Sequence, residues 1–314
     1  MPIQIIENKI SHNKSLRWIN ITNAKKNEIK YLKDNFNFTL KNLRDSLSHV
    51  RSQRLIIEEH SNYLFLIFHF PVFNKEKNEI IGKEIDCFIS KNYLITVHNN
   101  KNKSLNSLFN LCRKDQDTRD NYMGKDPLFL FYEILNRTFD QCFFILDMLN
   151  IKISEVEEKI FSSRQRESID DILMLKHNII NFSRIMQSHK NTLKKIFQCN
   201  NKKIFSSCQI KTYNKLIRTT KDIWEIAQSQ KEMIEALEYT NDSMLSYKMG
   251  NIMKTLTIFS VIVFPLTLFA AIFGMNTMNG MPFIQNKNGF WIIISVMVAG
   301  TILMFLIFKK KKWL

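Results

Sequence analysis

Two long apolar segments near the carboxyl end constrain the fold of this chain more than any other feature. Residues 256–273 and 290–308 contain no Asp, Glu, Lys, Arg or His. Each segment approaches the ~20 apolar residues that an α-helix needs to cross the hydrocarbon of a bilayer. The sequence therefore predicts a membrane protein with two transmembrane helices.

Lysines that flank these segments predict their orientation. Lys248 and Lys254 precede the first segment, whereas the connection at 277–289 carries only Lys287. Four consecutive lysines follow the second segment: Lys309, Lys310, Lys311 and Lys312. Because Lys and Arg near spans are retained in the cytoplasm, we predict a multi-pass protein of the plasma (inner) membrane. Both termini would be cytoplasmic, and residues 277–289 would form an external loop.

Composition argues against several other classes of protein. The formal charge of +16 would suit nucleic acid if it were clustered, but outside residues 249–314 the basic residues are interleaved with acids. The five cysteines form no CxxC pair, and the histidines show no zinc-site spacing. The sequence also lacks a nucleophile elbow, a phosphate loop and a paired-carboxylate motif. We therefore expect neither a nucleic-acid partner nor an enzyme.

The first hundred residues predict a mixed α/β region. Short runs rich in β-branched and aromatic residues alternate with polar turns, which indicates strands joined as hairpins. The predicted strands are 16–21, 54–58, 63–70, 86–89 and 93–97. Segments 24–34 and 39–47 have helical spacing, so helices are expected to flank the sheet.

A change of composition after Pro127 predicts long helices. Neither glycine nor proline occurs between Pro127 and Gly250, and an interval without either residue favours uninterrupted helices. We place helices at 128–161, 168–197 and 209–275. The last would be about 100 Å long at 1.5 Å per residue and would run from the cytoplasm into the membrane. We expect it to bury its apolar stripes against further copies of the same chain.

One side of the first apolar segment mixes small, hydroxyl and large side chains. At about 100° per residue, seven positions fall within a stripe roughly 80° wide. They are Met253, Leu256, Ser260, Phe264, Thr267, Ala271 and Gly274. Such a stripe suits the lining of a pore, but small residues also favour packing between membrane helices. The stripe alone leaves both interpretations open.

A pore would require several copies around an axis, since two helices cannot enclose an aqueous path. At the outer end, rings of Gly274 carbonyls and Asn276 amide oxygens would offer uncharged ligands to the water shell of Mg²⁺, which dehydrates reluctantly. At the inner end, rings of Met253 and Leu256 would close the pore by dewetting. An inside-negative potential of ~100 mV would supply about 4–5 kcal/mol for entry of a divalent ion. A gated channel would therefore need no coupled ion.

A set of short motifs runs through the chain in a fixed order. Around the first apolar segment these are NIMKTLT (251–257), FPLT (264–267), FGMN (273–276) and MP (281–282). Upstream they are RWINI (17–21), YLFLI (63–67), LITVH (94–98) and SEVEE (154–158). In these motifs the chain resembles the CorA magnesium channels over nearly its whole length.

The resemblance implies a homopentameric funnel with an α+β cytoplasmic domain, in which helices flank a mixed sheet. A long stalk helix and two transmembrane α-helices would follow. The implied divisions are a cytoplasmic α/β domain at 1–125, a cytoplasmic helical hairpin at 126–208, a stalk helix at 209–254, a pore helix at 255–276, an external loop at 277–289, a second transmembrane helix at 290–308 and a cytoplasmic basic tail at 309–314.

The resemblance also implies roles for individual residues. Gly274, Met275 and Asn276 would form the outer selectivity filter, while Asp222 in the stalk would bind a regulatory Mg²⁺ that favours the closed state. The basic tail would surround the stalk at the inner membrane surface. Two departures from the family pattern stand out. Phe283 follows the Met-Pro pair, where an acid is often found, and Gly250 replaces an asparagine at the inner pore mouth.

The expected function is channel-type uptake of Mg²⁺, with Co²⁺ and Ni²⁺ as additional candidate ions and membrane lipid as surroundings. Two alternatives remain open at this point. One is a zinc-transporting relative of the same family, although the intact triplet Gly274-Met275-Asn276 favours magnesium. The other is a cytoplasmic scaffold that uses its two spans only as an anchor.

Overall fold

The structure is a computed structural model of the chain. It describes residues 2–11, 14–47, 55–99, 103–162, 164–198, 210–275, 282–283, 286–311 and 313. The chain divides into two compact units, Met1–Glu238 and Tyr239–Leu314.

A six-stranded mixed sheet forms the centre of the first unit. Its strands are β1 (Ile3–Ser11), β2 (Lys14–Thr22), β3 (Ile56–Glu59), β4 (Leu64–Asn74), β5 (Glu79–Ile89) and β6 (Tyr93–His98). They lie in the order β1-β2-β6-β5-β4-β3. Only β2 and β6 run parallel among the described pairs, and every other neighbouring pair is antiparallel.

Helices account for most of the remaining described residues. They are α1 (Lys26–Asn35), α2 (Leu40–Asp45), α3 (Lys103–Lys114), α4 (Gln116–Met123), α5 (Pro127–Phe161), α6 (Ser168–Met186), α7 (His189–Gln198), α8 (Ile210–Phe273) and α9 (Gly289–Lys310). The start of α5 shows how the sequence sets such a boundary. Asp126 accepts the backbone N–H of Phe129 at 2.8 Å, and Pro127 occupies the first helical position, where its missing N–H costs nothing.

Alternation along β4 places helices on both faces of the sheet. Phe65 lies on the face that packs against Leu32 of α1 and Leu43 of α2, in one buried cluster. Phe68 points to the opposite face, because successive strand residues alternate, and its ring lies 6.0 Å from that of Phe131 in α5. The sheet is therefore covered on both sides, and the core of the first unit occupies both layers.

The turn between β4 and β5 ties α5 and α6 to the sheet. Asn78 occupies this turn with φ 51°, a left-handed conformation that asparagine tolerates better than most residues. Its side-chain oxygen accepts a hydrogen bond from Lys152 Nζ of α5 at 3.0 Å, and its backbone carbonyl accepts one from Asn178 Nδ2 of α6 at 3.0 Å. Asn178 Oδ1 also accepts the backbone N–H of Ile80 at 2.7 Å. The two helices and the hairpin thus form one hydrogen-bonded assembly.

Much of the predicted architecture is confirmed. The α+β class, the flanking helices and two helices long and apolar enough to cross a membrane are all found. The predicted strands at 16–21, 63–70 and 93–97 correspond to β2, β4 and β6. The strand predicted at 86–89 is longer, because it pairs with β4 over the whole hairpin. Of the strand predicted at 54–58, residue 54 lies outside the described residues.

Four parts of the fold differ from the sequence prediction. β1, α3 and α4 were not predicted, and the helix expected at 168–197 is divided into α6 and α7 by a turn at 187–188. The turn directs His189, the first residue of α7, into the aromatic core beside Phe70, with 5.2 Å between ring centroids. Burial of this ring accounts for a break that neither glycine nor proline marks.

Candidate functional site

The predicted pore stripe lies on α8 in the second unit and is largely open in the single chain. Met253, Leu256 and Phe264 are 54%, 56% and 70% exposed. Thr267 and the remaining small residues of the stripe are also exposed, whereas Ser260 is half-buried. The structure thus places six of the seven predicted residues along one side of α8, and Gly274 directly follows the last helical residue, Phe273.

The opposite side of α8 is partly covered within the chain. Ile258 is the least exposed residue of this segment, at 9%, and Ile262, Leu266 and Phe273 are half-buried. At about 100° per residue these four positions point away from the stripe. The least exposed residues of the span thus lie on the side opposite the stripe. Most of the stripe itself is exposed.

Hydroxyl groups in this region donate back into the helix. Thr267 Oγ1 donates to the carbonyl of Val263 at 2.9 Å, and Thr257 Oγ1 donates to the carbonyl of Met253 at 2.8 Å. Each hydroxyl proton is thereby occupied, while the oxygen lone pairs remain available to the outside. Such a threonine oxygen can accept a hydrogen bond from water. The water molecules around a cation point their hydrogens outward and can donate this bond.

The carboxyl end of α8 carries part of the predicted filter. The N–H of Gly274 donates to the carbonyl of Ala270 at 2.9 Å, and that of Met275 to the carbonyl of Ile272 at 3.3 Å. A Cβ added at Gly274 would lie 3.0 Å from the Ala270 oxygen, so a side chain is accommodated there only with a local shift. Asn276 lies outside the described residues. The negative end of a helix dipole at this position favours cations.

Asp222 lies on an exposed part of α8 in the first unit. Its neighbours Lys221 and Glu225 form an exposed ion pair at 3.2 Å. In the part of the chain that the structure describes, no three His, Cys, Asp or Glu side chains converge to hold a metal ion. Any metal held by Asp222 would therefore need ligands from outside this set.

The basic tail begins inside α9. Lys309 and Lys310 end that helix, and Lys311 is exposed and follows as the capping residue, while Lys312 lies outside the described residues. Trp291 near the start of α9 and Trp313 after its end are 68% and 44% exposed. At 1.5 Å per residue they are roughly 30 Å apart, the thickness of a hydrocarbon core.

Sequence reasoning did not single out the polar contacts that join α8 to α5 and α6. Gln230 bonds to Leu146 of α5, and Glu238 bonds to Lys176 of α6. The apolar residues of α8 recur at alternating intervals of three and four, and Gln230 occupies one of these positions. A polar residue within an otherwise apolar pattern is the signal that could have identified it.

Comparison with known proteins identifies the family of this chain. The model of the family described as "CorA-like Mg2+ transporter protein" matches residues 13–310. The chain belongs to the CorA family. The resemblance drawn from its motifs is thereby confirmed, and a family of transporters agrees with the expectation that the chain is not an enzyme.

Similar proteins support this assignment. The cobalt/magnesium transport protein CorA of Thermotoga maritima is 23% identical over 298 residues, which are 95% of this chain and 83% of that protein. The complete structure of the CorA magnesium transporter from Methanocaldococcus jannaschii matches with a TM-score of 0.82 at 22% identity and covers 95% of this chain and 92% of that chain. The cytoplasmic domain of ZntB from Vibrio parahaemolyticus matches with a TM-score of 0.62 at 12% identity, covering 79% of this chain and 100% of that domain. The structural matches show a shared fold.

Proposed function

We propose that this CorA-family chain carries Mg²⁺ into the cell through a channel whose wall is the stripe of α8 from Met253 to Gly274, contributed by five copies. Membership of a magnesium-transporter family supports the cargo, and the name of the Thermotoga relative supports Co²⁺ as a second ion. The observation that carries the proposal is the difference in exposure between the two sides of the span. The least exposed residue, Ile258, lies opposite the stripe, whereas six of the seven stripe residues are exposed in the single chain.

The chemistry of the open side suits a hydrated divalent ion. Mg²⁺ gives up its water reluctantly, so a wall that accepts hydrogen bonds from the water shell can admit the ion intact. Thr267 provides such an acceptor, because its proton is engaged by Val263. Met253 and Leu256 at the inner end provide apolar rings of the kind that close a pore by dewetting.

The outer mouth would select cations without a carboxylate. The sequence contains no Asp or Glu after Asp242, so the negative potential must come from dipoles. Each copy of α8 ends there, and a helix C-terminus carries the equivalent of about −0.5 charge. Five such ends, with the carbonyl of Gly274 and the side chain of Asn276, would attract a divalent cation while leaving it free to move on.

Topology and driving force follow from the flanks of the spans. Lysines precede α8's apolar part and follow α9, which favours both termini in the cytoplasm. The two exposed tryptophans fit the interfacial belts of a bilayer. An inside-negative potential of ~100 mV would then provide about 4–5 kcal/mol for inward movement of each divalent ion.

Closure by cytoplasmic Mg²⁺ is the regulatory part of the proposal. Asp222 is exposed in the single chain and would complete a metal site with groups from a neighbouring copy. A bridging Mg²⁺ would favour the arrangement in which it binds, which is the closed one, and its loss would release the gate.

The decisive experiment measures Mg²⁺ entry into vesicles that contain only this protein and a fluorescent Mg²⁺ indicator. We expect Asn276→Ala to reduce the flux at least tenfold under an inside-negative potential. Asn286→Ala is the matched control, because Asn286 is an exposed residue of the same connection outside the proposed filter. Equal flux in the two variants would remove the assigned filter, and no flux in wild type would favour the anchored scaffold. Parallel assays with Co²⁺ and Zn²⁺ establish the ion preference.

A further inference from the structure

The cytoplasmic part of α8 packs through a seam with heptad spacing. Its buried residues recur at alternating intervals of three and four: Tyr213, Leu216, Thr220, Ile223, Ala227, Gln230, Ile234 and Leu237. This is the spacing by which helices pack as knobs into holes. When α8 shifts along its axis by one helical turn, about 5.4 Å, each buried residue moves to about the place that the next buried residue had occupied. Nearly the same apolar packing is therefore available in the shifted position. Its apolar members alone therefore do not fix the axial position of α8.

Gln230 donates a hydrogen bond across the seam, and this bond can form only at one axial position of α8 relative to α5. Its side chain is 6% exposed, and Nε2 donates to the backbone carbonyl of Leu146 in α5 at 2.8 Å. Its Oε1 has no hydrogen-bond partner among the residues that the structure describes. Thr220 is different, since its hydroxyl donates to Ile217 within α8 at 2.8 Å and keeps that bond in any register. Of these two side chains, only Gln230 loses its bond when α8 shifts, and its amide would then lie unpaired in the seam.

An ion pair adds a second contact that depends on register. Glu238 Oε2 lies 2.6 Å from Lys176 Nζ of α6, and both side chains are about one-third exposed, at 33% and 31%. Exposed pairs contribute little to stability, but the separation of these two groups depends directly on the height of α8. At the other end of the seam, the hydroxyl of Tyr213 donates to the carbonyl of Leu128 in α5 at 3.0 Å.

The residues that Gln230 and Glu238 contact lie on helices that are hydrogen-bonded to the sheet. Leu146 lies in α5 and Lys176 in α6, and both helices are bonded to the β4–β5 turn through Asn78. A displacement of α8 is therefore a displacement relative to the sheet, while α5 and α6 stay with the sheet.

We infer that Gln230 and the Lys176–Glu238 pair are positioning residues that set the axial register of α8 against α5 and α6. α8 is one uninterrupted helix over Ile210–Phe273, so we expect a change of register at Gln230 to be transmitted along it to the stripe that begins at Met253. The consequence for transport rests on the proposed function. The register itself is a property of the first unit and is measurable without transport.

The test uses distances within the full-length protein in lipid nanodiscs. A spin-labelled noncanonical amino acid is placed at Asp147 of α5 and Asn214 of α8, both exposed and well separated along the helix axis, and labelled protein is diluted with unlabelled protein to suppress signals between copies. We expect one narrow distance distribution for the parent protein. Gln230→Leu/Glu238→Gln should add a second population consistent with a shift of about one turn, roughly 5 Å.

Charge exchange separates positioning from general stability. Glu238→Lys alone should broaden the distribution, and Lys176→Glu/Glu238→Lys should restore the single narrow peak, because the exchanged pair attracts at the same height. An unchanged distribution in Gln230→Leu/Glu238→Gln, or no recovery in the exchanged variant, would overturn the inference. Gln230→Met provides a second seam variant if the leucine variant does not fold.

Flux measurements then connect register to the pore. We expect the internal Mg²⁺ concentration that halves the flux to change at least fivefold in Gln230→Leu/Glu238→Gln and to return to the parent value in the exchanged variant with Gln230 intact. Absence of flux in every protein, with the distance changes present, would refute the proposed function and leave the register assignment standing. Changed distances with unchanged flux would refute the link between register and pore.

Discussion

Acidification should destabilise the first unit through one histidine. His189 is fully buried among three phenylalanine rings, with ring centroids 5.8 Å from Phe68, 5.2 Å from Phe70 and 6.1 Å from Phe139. Neither of its ring nitrogens has a hydrogen-bond partner among the described residues. Burial, and secondly the nearby His69, lower the pKa of His189 to about 4. The folded protein therefore holds this imidazole neutral where an exposed one would be charged.

The sign and size of the effect follow from linkage. In the unfolded chain the pKa of His189 is near its ordinary value of about 6.5, so the unfolded state takes up the proton first as the pH falls. The stability that His189 contributes is fully present above about pH 6.5 and is lost progressively as the pH falls towards about 4. The whole difference corresponds to about 3 kcal/mol, and about 2 kcal/mol of it is lost by pH 5.

Denaturant unfolding of the full-length protein in detergent measures this loss. Trp18 is completely buried and reports unfolding of the first unit by fluorescence. His189→Phe is the matched variant, because an aromatic ring fits the site and does not titrate. Burial and Glu84 raise the pKa of Asp86, which favours folding at lower pH, but this effect is common to both proteins. Equal losses of unfolding free energy in wild type and variant between pH 8 and pH 5 would refute the reasoning.

Three further predictions concern Thr267 in the proposed pore wall, Asn178 in the contact between α6 and the β4–β5 turn, and Asp222 in the proposed regulatory site. Thr267→Val should lower Mg²⁺ flux in the vesicle assay at least tenfold while Thr267→Ser retains it, because only the serine keeps the outward acceptor; equal flux would place Thr267 off the path. Asn178→Ala should lower the unfolding free energy by about 1–3 kcal/mol, since the buried N–H of Ile80 loses its acceptor, whereas Asn150→Ala at an exposed position of α5 should change it by less than ~0.5 kcal/mol. Asp222→Asn should leave flux at low internal Mg²⁺ unchanged and raise the internal Mg²⁺ needed for closure several-fold; an unchanged closing concentration would contradict the regulatory role.

The membrane region was predictable because its signals are local. Residues 256–273 show an uncharged run and a period near 3.6, and both properties survive in α8. The start of α5 at Pro127 and the strand β4 were also predictable from local signals. The residues of β4 are apolar on both faces, and most of them are buried. In each case composition and spacing within one segment decide the structure.

The missed elements depend on neighbours or on weaker signals. β1 pairs only with β2, and its alternating polar residues give a single edge strand little propensity of its own. α3 carried a usable pattern, since Leu105, Leu108 and Cys112 are buried at helical spacing. The break before His189 could not be predicted, because it results from burial of one ring in a core assembled from distant segments. The spacing of residues in one chain likewise does not specify how many copies assemble into a ring.

The inward direction of the threonine hydroxyls has one more consequence. The hydroxyl of Thr267 can accept hydrogen bonds from water, while its own proton is engaged within the helix. At this position the proposed wall therefore suits the outward-pointing hydrogens of a hydrated cation. The proposed lining also contains no group that ionises near neutrality. Its preference for cations should therefore persist from mildly acidic to mildly alkaline solution, and any pH sensitivity of transport should originate in the first unit.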